Sequence, residues 1–189
     1  MSLILLGILN SQAVAAGPAG AYDLLETQTL GTTAASVTFT GLGSYTDYKH
    51  LQLRMTVRSD DPDDDLSAIS LRFNGDSGSN YANHQLSGNG SSVSSGASTS
   101  STQIGLLDLV TGNLNTANVF GAGVMDILDF SSSSKNTTIR LLSGGLSDTE
   151  SRINLTSGLW NSTAAVTSLA LIKGDNFVAG SRFSLYGVR

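Results

Sequence analysis

Apolar and polar residues alternate along much of this chain with a period of two, which is typical of β-strands that have one buried face. The clearest example spans residues 50–58, in which Leu51, Leu53, Met55 and Val57 share one face. Further alternating segments contain the pairs Val37 with Phe39, Leu71 with Phe73, Ile139 with Leu141, Ile153 with Leu155, and Phe183 with Leu185. Turn signals rich in glycine, asparagine and aspartate separate these segments. The pattern predicts an all-β fold of about ten short antiparallel strands, arranged as a β-sandwich of the jelly-roll type.

Three segments depart from simple alternation. Residues 124–130 and 166–172 carry apolar side chains on both faces, which predicts that both faces are covered. One cover would be the second sheet, and the other would be a loop, the N-terminal segment or another subunit. This pattern favours a homo-oligomer. Residues 87–102 are rich in serine and glycine, with only Val93 and Ala97 as apolar residues, and they predict a long surface loop.

The first twenty residues combine an apolar run with a segment of small residues. The apolar members are Leu3, Ile4, Leu5, Leu6, Ile8 and Leu9. The run is too short to span a bilayer, which takes about 20 apolar residues. It resembles a secretory signal with a cleavage site near Ala15, although no lysine or arginine precedes it. We expect residues 1–20 to form an extended anchoring arm and hinge, buried against another chain, with burial under its own domain as the alternative, and residues 21–189 to form a single sandwich domain.

Composition narrows the classes of function. The 189 residues have a formal net charge of −5, and only 13% of them are charged. A chain with net negative charge is poorly suited to the phosphate backbone, so we expect no nucleic-acid partner. The sequence contains no cysteine, which excludes a disulfide scaffold, a thiolate metal site and a cysteine nucleophile.

Serine is abundant, but the sequence shows no arrangement typical of nucleophilic or general acid–base catalysis. His50 and His84 are the only histidines, and the sequence has no G-x-S-x-G nucleophile motif. Asp126 and Asp129 lie three positions apart, so on a strand they face opposite sides and cannot act as a carboxylate pair. We therefore expect a protein that is not an enzyme.

Residues 59–65 form the most acidic segment of the chain. Asp60, Asp61 and Asp63 are the candidate ligands for Ca²⁺, which binds six to eight oxygen atoms. The spacing of an EF-hand is absent, and neighbouring aspartates in a loop cannot all face one ion. The preferred interpretation is a solvated turn that also discourages pairing of strand edges. We expect no cofactor, with Ca²⁺ as the alternative.

Aromatic residues beside polar neighbours raise the alternative of sugar binding. Tyr81, His84 and Trp160 form the candidate ligand surface, because sugar sites combine an aromatic platform with hydrogen-bonding side chains. The competing interpretation, which we favour, is that Trp160 caps the core and the tyrosines close the ends of the sheets.

Three blocks of sequence resemble small virion-associated proteins of tailed bacteriophages. They are residues 1–11 (MSLILLGILNS), 72–81 (RFNGDSGSNY) and 182–189 (RFSLYGVR). Members of this group are capsid decoration, head-fibre or tail-fibre components. The resemblance implies a β-sandwich, often trimeric, that attaches to the particle through its N-terminal segment, and it carries no catalytic signature.

Together these observations lead to one expectation and two alternatives. We expect a non-enzymatic protein of the virion surface that decorates or stabilises the capsid. Its partner would be the major capsid protein or another virion protein, bound through residues 1–20, with homotrimer formation and no membrane span. The alternatives are a tail or fibre module that binds a host receptor or surface glycan, and a secreted bacterial carbohydrate-binding module.

Overall fold

The computed structural model describes residues 20–63 and 65–189, so the anchoring side chains from Leu3 to Leu9 lie outside the described residues. The described chain forms twelve strands and one turn of 3₁₀ helix at Leu42–Ser44. The strands are β1 (Tyr22–Thr29), β2 (Ala34–Thr40), β3 (His50–Val57), β4 (Leu66–Phe73), β5 (Tyr81–Gly88), β6 (Val93–Ser101), β7 (Ile104–Thr111), β8 (Gly121–Leu128), β9 (Thr137–Leu146), β10 (Ser151–Trp160), β11 (Ser168–Phe177) and β12 (Arg182–Val188).

Two antiparallel sheets pack face to face. The larger sheet has eight strands in the order β1-β12-β3-β8-β9-β10-β5-β6, and the smaller has four in the order β2-β11-β4-β7. The predicted all-β sandwich is therefore confirmed. The division into eight and four strands does not establish the jelly-roll arrangement, which usually builds its two sheets from eight strands in all.

The core lies between the sheets and consists of the inward-facing residues of both. On β3, Leu51, Leu53, Met55 and Val57 are all buried, as their alternation predicts. Close approach of the sheets depends on glycine: a Cβ atom on Gly121 would overlap the backbone carbonyl oxygen of Leu109. This position therefore has no room for any side chain.

The prediction of a loop over residues 87–102 is wrong, because β6 occupies most of this segment. Residues of β6 pair with β5 in antiparallel register, from Val93 opposite Gly88 to Ser101 opposite Tyr81. β6 is an edge strand, so one side of its backbone is paired while all of its side chains are exposed or half-buried. A strand in that position needs no apolar face, which explains why its sequence resembles a loop.

Candidate functional site

The outer surface of the larger sheet carries a continuous set of exposed apolar side chains, here called the apolar face. Its seven members are Leu86, Val93, Val124, Leu142, Leu146, Ile153 and Leu155, with exposed fractions between 42% and 72%. Strand pairing aligns four of them in one row, in which Val124 is opposite Leu142, and Leu155 lies between Leu142 and Leu86. Neighbouring strands are about 4.8 Å apart, so this row forms an unbroken apolar strip about 14 Å long.

On β9, β10 and β5, the inner side of the larger sheet carries polar side chains directly behind the apolar face. Asn154 is opposite Ser87 on β5 and Ser143 on β9, and all three side chains face the interior and are buried. The polar side-chain atoms of these residues have no hydrogen-bond partner among the described residues. The usual polarity of a sandwich is therefore inverted here, with polar groups inside and apolar groups outside.

The inversion corrects the prediction for the segment that contains Ile153 and Leu155. Alternation correctly places both residues on one face of β10, but the structure places that face outside, with exposed fractions of 59% and 51%. Sequence reasoning therefore missed this surface. The adjacent apolar pair Leu141 and Leu142 gave a signal for it, since adjacent residues on a strand point to opposite faces.

A groove of about 790 Å³ runs along part of the apolar face. Its apolar lining includes Val124, Leu142 and Ile153, and Phe120 from the segment before β8 also contributes. Arg54 and Arg182 line the groove as well, on the neighbouring strands β3 and β12. A third lining arginine, Arg152, is paired with Glu150 at 3.2 Å. The described lining residues include no aspartate or glutamate. The groove thus combines an apolar surface with positive charge.

Arg54 is held in place by its neighbours. Its guanidinium carbon lies 4.3 Å from the centre of the Tyr186 ring and 5.4 Å from that of Tyr22. Its Nε atom donates a hydrogen bond of 2.9 Å to the side-chain oxygen of Gln52. The side-chain NH₂ group of Gln52 in turn donates a hydrogen bond to the carboxylate of Asp126. These contacts fix the direction of the guanidinium while leaving its charge at the surface.

A second groove, of about 630 Å³, lies beside β5 and β6, and most of the side chains that line it are polar and uncharged. Asn83, Gln85 and Gln103 supply amide groups, and serine and threonine hydroxyls complete much of the lining. The side-chain oxygen of Gln85 is buried and has no hydrogen-bond partner among the described residues. Uncharged amides and hydroxyls of this kind suit a neutral, hydroxyl-rich ligand.

Two of the three candidate sugar-binding residues lie in the core. Tyr81 and Trp160 are 1% and 3% exposed, and their rings stack on each other with centroids 6.5 Å apart. The Trp160 indole N–H donates a 2.7 Å hydrogen bond to Asp76, and this bond is the main reason that the pKa of Asp76 is lowered. His84 is exposed on the opposite face of β5. The structure therefore does not bring the three side chains together.

The candidate calcium ligands already have protein partners. Asp60 accepts hydrogen bonds of 2.8 and 2.9 Å from the backbone and side chain of Asn176, which lower its pKa. Asp61 lies 3.2 Å from the ammonium of Lys173 and also accepts a bond from the backbone N–H of Asp63. In the part of the chain that the structure describes, no group of three or more histidine, aspartate or glutamate side chains could hold a metal ion. The calcium alternative therefore gains no geometric support.

His50 serves a structural contact. Its Nδ1 atom accepts a 2.9 Å hydrogen bond from the backbone N–H of Asp129, whose side chain pairs with Lys135 at 2.8 Å. Asp129 has a positive φ of 50°, and the bond from its N–H stabilises that turn.

Comparison of the chain with models of known protein families, with curated proteins and with solved structures gives no match. No helix among the described residues is long and apolar enough to cross a membrane. The two grooves and the inverted polarity of β10 are the features of the described residues that indicate a function.

Proposed function

We propose that this protein is a non-enzymatic structural subunit that assembles with other protein through the apolar face. The observation that carries the proposal is the inverted polarity at β9, β10 and β5. A free monomer would gain nothing from placing Ile153 and Leu155 in water while burying Asn154. Docking of another protein on this face would bury the exposed apolar side chains, so the inversion is stabilising only in an assembly.

The energy available on this surface is consistent with assembly through several weak contacts. Completing the burial of seven half-exposed side chains would contribute about 5–10 kcal/mol before association costs. Those costs are about 4–15 kcal/mol for two proteins, so one such contact gives modest affinity by itself. A particle surface presents many copies of the same partner protein in a regular array, so many such weak contacts would form together.

The resemblance to virion-associated phage proteins supports placing this subunit on a virion surface, of the capsid-decoration type. In this proposal the partner is the major capsid protein or another virion protein. The proposal includes a trimeric state, which the resemblance implies. It also includes anchoring by residues 1–20, which both the resemblance and the apolar N-terminal sequence support.

Substitution of lysine on the apolar face tests the assembly role. Leu142→Lys places a charge at the centre of the row, whereas Thr138→Lys adds the same charge on the same strand and face but outside the row. Binding to purified virions, measured by co-sedimentation, is expected to fall at least about tenfold for Leu142→Lys, because burying an unpaired charge is costly. Thr138→Lys should bind like the wild type. Equal binding of the two variants would contradict the proposal, and so would virions that an antibody against residues 20–189 fails to label.

The polar groove favours a second candidate function, which is recognition of a glycan on a host surface. Its support is the cluster of amides and hydroxyls around the buried, unpartnered oxygen of Gln85. In a glycan-array experiment, a saccharide that binds the wild type should lose binding to Gln85→Ala and keep it with Gln28→Ala, on the opposite edge of the sheet. An array without any saturable binding would refute this candidate.

A further inference from the structure

The groove on the apolar face carries a specific charge pattern that constrains its occupant. Strand pairing places Arg54 opposite Ser184, and Arg182 opposite Thr56, so the two arginines are diagonal neighbours on β3 and β12. Diagonal neighbours lie about 7–8 Å apart, close enough for both guanidinium groups to reach one ligand. The third lining arginine, Arg152, is already paired with Glu150, whereas the described lining residues contain no carboxylate beside Arg54 and Arg182.

This local positive charge contrasts with the whole chain, whose formal net charge is −5. Arg54 is oriented by the Tyr186 ring and by Gln52, so the charge of this arginine stands at a defined place beside the apolar lining. An occupant that matches the groove needs apolar groups for Val124, Leu142 and Ile153, and negative charge for the arginines.

On the basis of the assembly role proposed above, we propose that the groove docks an extended segment of a partner protein that carries apolar side chains beside at least one carboxylate. A second copy of this chain that packed on the same face, about a two-fold axis through the groove, would bring the arginines of the two copies together. Like charges at an interface oppose association, so the charge pattern disfavours such a symmetric dimer. The occupant is therefore a different, acidic segment.

Three labelled peptides of equal length test this inference on the full-length protein. Each contains the same three leucines, flanked at both ends by aspartate in the first, lysine in the second and serine in the third. Fluorescence anisotropy at low and high salt measures their binding to the wild type, to Arg54→Gln with Arg182→Gln, and to the control Arg140→Gln. Arg140 is exposed on β9 and does not line the groove. Thermal unfolding of each variant verifies that it is folded.

The acidic peptide is expected to bind saturably and to weaken with salt. The double variant should bind it roughly five- to tenfold more weakly, as removing two surface charge pairs implies, while Arg140→Gln should leave binding unchanged. Binding of the basic peptide as strong as that of the acidic one would overturn the inference, as would acidic binding that is insensitive to the double substitution. If no peptide binds but the wild type self-associates and Leu142→Lys abolishes this, the occupant is a second copy, and the assembly role survives without this inference.

Discussion

A buried ion pair in the acidic segment gives the sharpest test of the energetics of this fold. Lys173 belongs to β11 and extends the inward-facing row of Leu169 and Leu171. Its side chain is 5% exposed, and its Nζ atom lies 3.2 Å from Asp61 and 3.3 Å from Asp175. The side chain of Asp61 is only 10% exposed, whereas that of Asp175 is 46% exposed.

Lys173→Met keeps most of the aliphatic stem and removes the charge. Breaking a buried pair by removing one partner costs about 3–5 kcal/mol, because the other charge remains buried without compensation. Asp61 would keep the hydrogen bond from the backbone N–H of Asp63, so we expect a smaller loss in the free energy of unfolding, of about 2–4 kcal/mol. A domain of this size is stable by only about 5–15 kcal/mol, so the effect is large.

Urea denaturation at pH 7 measures the loss, and Lys135→Met is the matched control. Lys135 makes an ion pair of 2.8 Å with Asp129, but its side chain is 64% exposed. Its removal is expected to cost less than about 1 kcal/mol, as for other surface pairs. If Lys173→Met lowers the free energy of unfolding by no more than Lys135→Met does, the argument from burial is wrong.

The pH dependence of this difference follows from Asp61. Burial raises its pKa, but hydrogen bonds from the backbone of Asp63 and from Lys173 outweigh burial and hold the pKa below its ordinary value of 3.8. A carboxyl group with a lowered pKa stabilises the fold above its unfolded pKa, and this stabilisation is lost as the pH falls through the folded pKa. In Lys173→Met the buried carboxyl of Asp61 loses its cation and takes up a proton more readily, so the gap between wild type and variant should be largest at pH 7 and should shrink as the pH falls toward about 4 and below.

Three further substitutions, one of them a control, test the packing of the sandwich. In a urea titration, Gly121→Ala should lower the free energy of unfolding by about 2–4 kcal/mol, because its Cβ would overlap the carbonyl of Leu109. Gly174→Ala is the control, because its Cβ would meet nothing within 4 Å. Its free energy of unfolding should stay within about 0.5 kcal/mol of the wild-type value. Asn154→Leu removes two unpartnered polar atoms from the interior and should raise the free energy of unfolding by about 1–2 kcal/mol. A loss of stability on Asn154→Leu would show that this amide is satisfied in the folded protein.

The fold class was predictable because burial leaves a period-two signal wherever a strand has one apolar face. β3 and β4 lie between other strands and pack on the opposite sheet, so their buried sets match the alternation. β6 gave no such signal because an edge strand is held by backbone pairing, which any sequence without proline can supply. Its prediction as a loop was wrong for that reason.

The candidate surface was only partly predictable. The two-faced pattern of residues 124–130 indicated an external cover, and the structure places Val124 from this segment on the exposed apolar face. Alternation in β10 identified one apolar face but could not tell which side it takes, since that depends on which strands pair with it. The meeting of Arg54 and Arg182 in one groove depends on the pairing of β3 with β12, which are far apart in sequence.

The orientation of β10 has a consequence for how the chain selects its native strand pairing. A slip by one residue would turn Ile153 inward and Asn154 outward, which would satisfy the hydrophobic effect in this half of the strand. The C-terminal half of β10 prevents this slip. Gly158 packs against Ile104 and Ile139, and a Cβ atom at this place would come within 2.9 Å of both side chains. Trp160 is held by its hydrogen bond to Asp76. The C-terminal half of β10 thus fixes the register, although this register leaves Ile153 in the N-terminal half exposed. We expect the register shifted by one residue to be a competing misfolded pairing during folding.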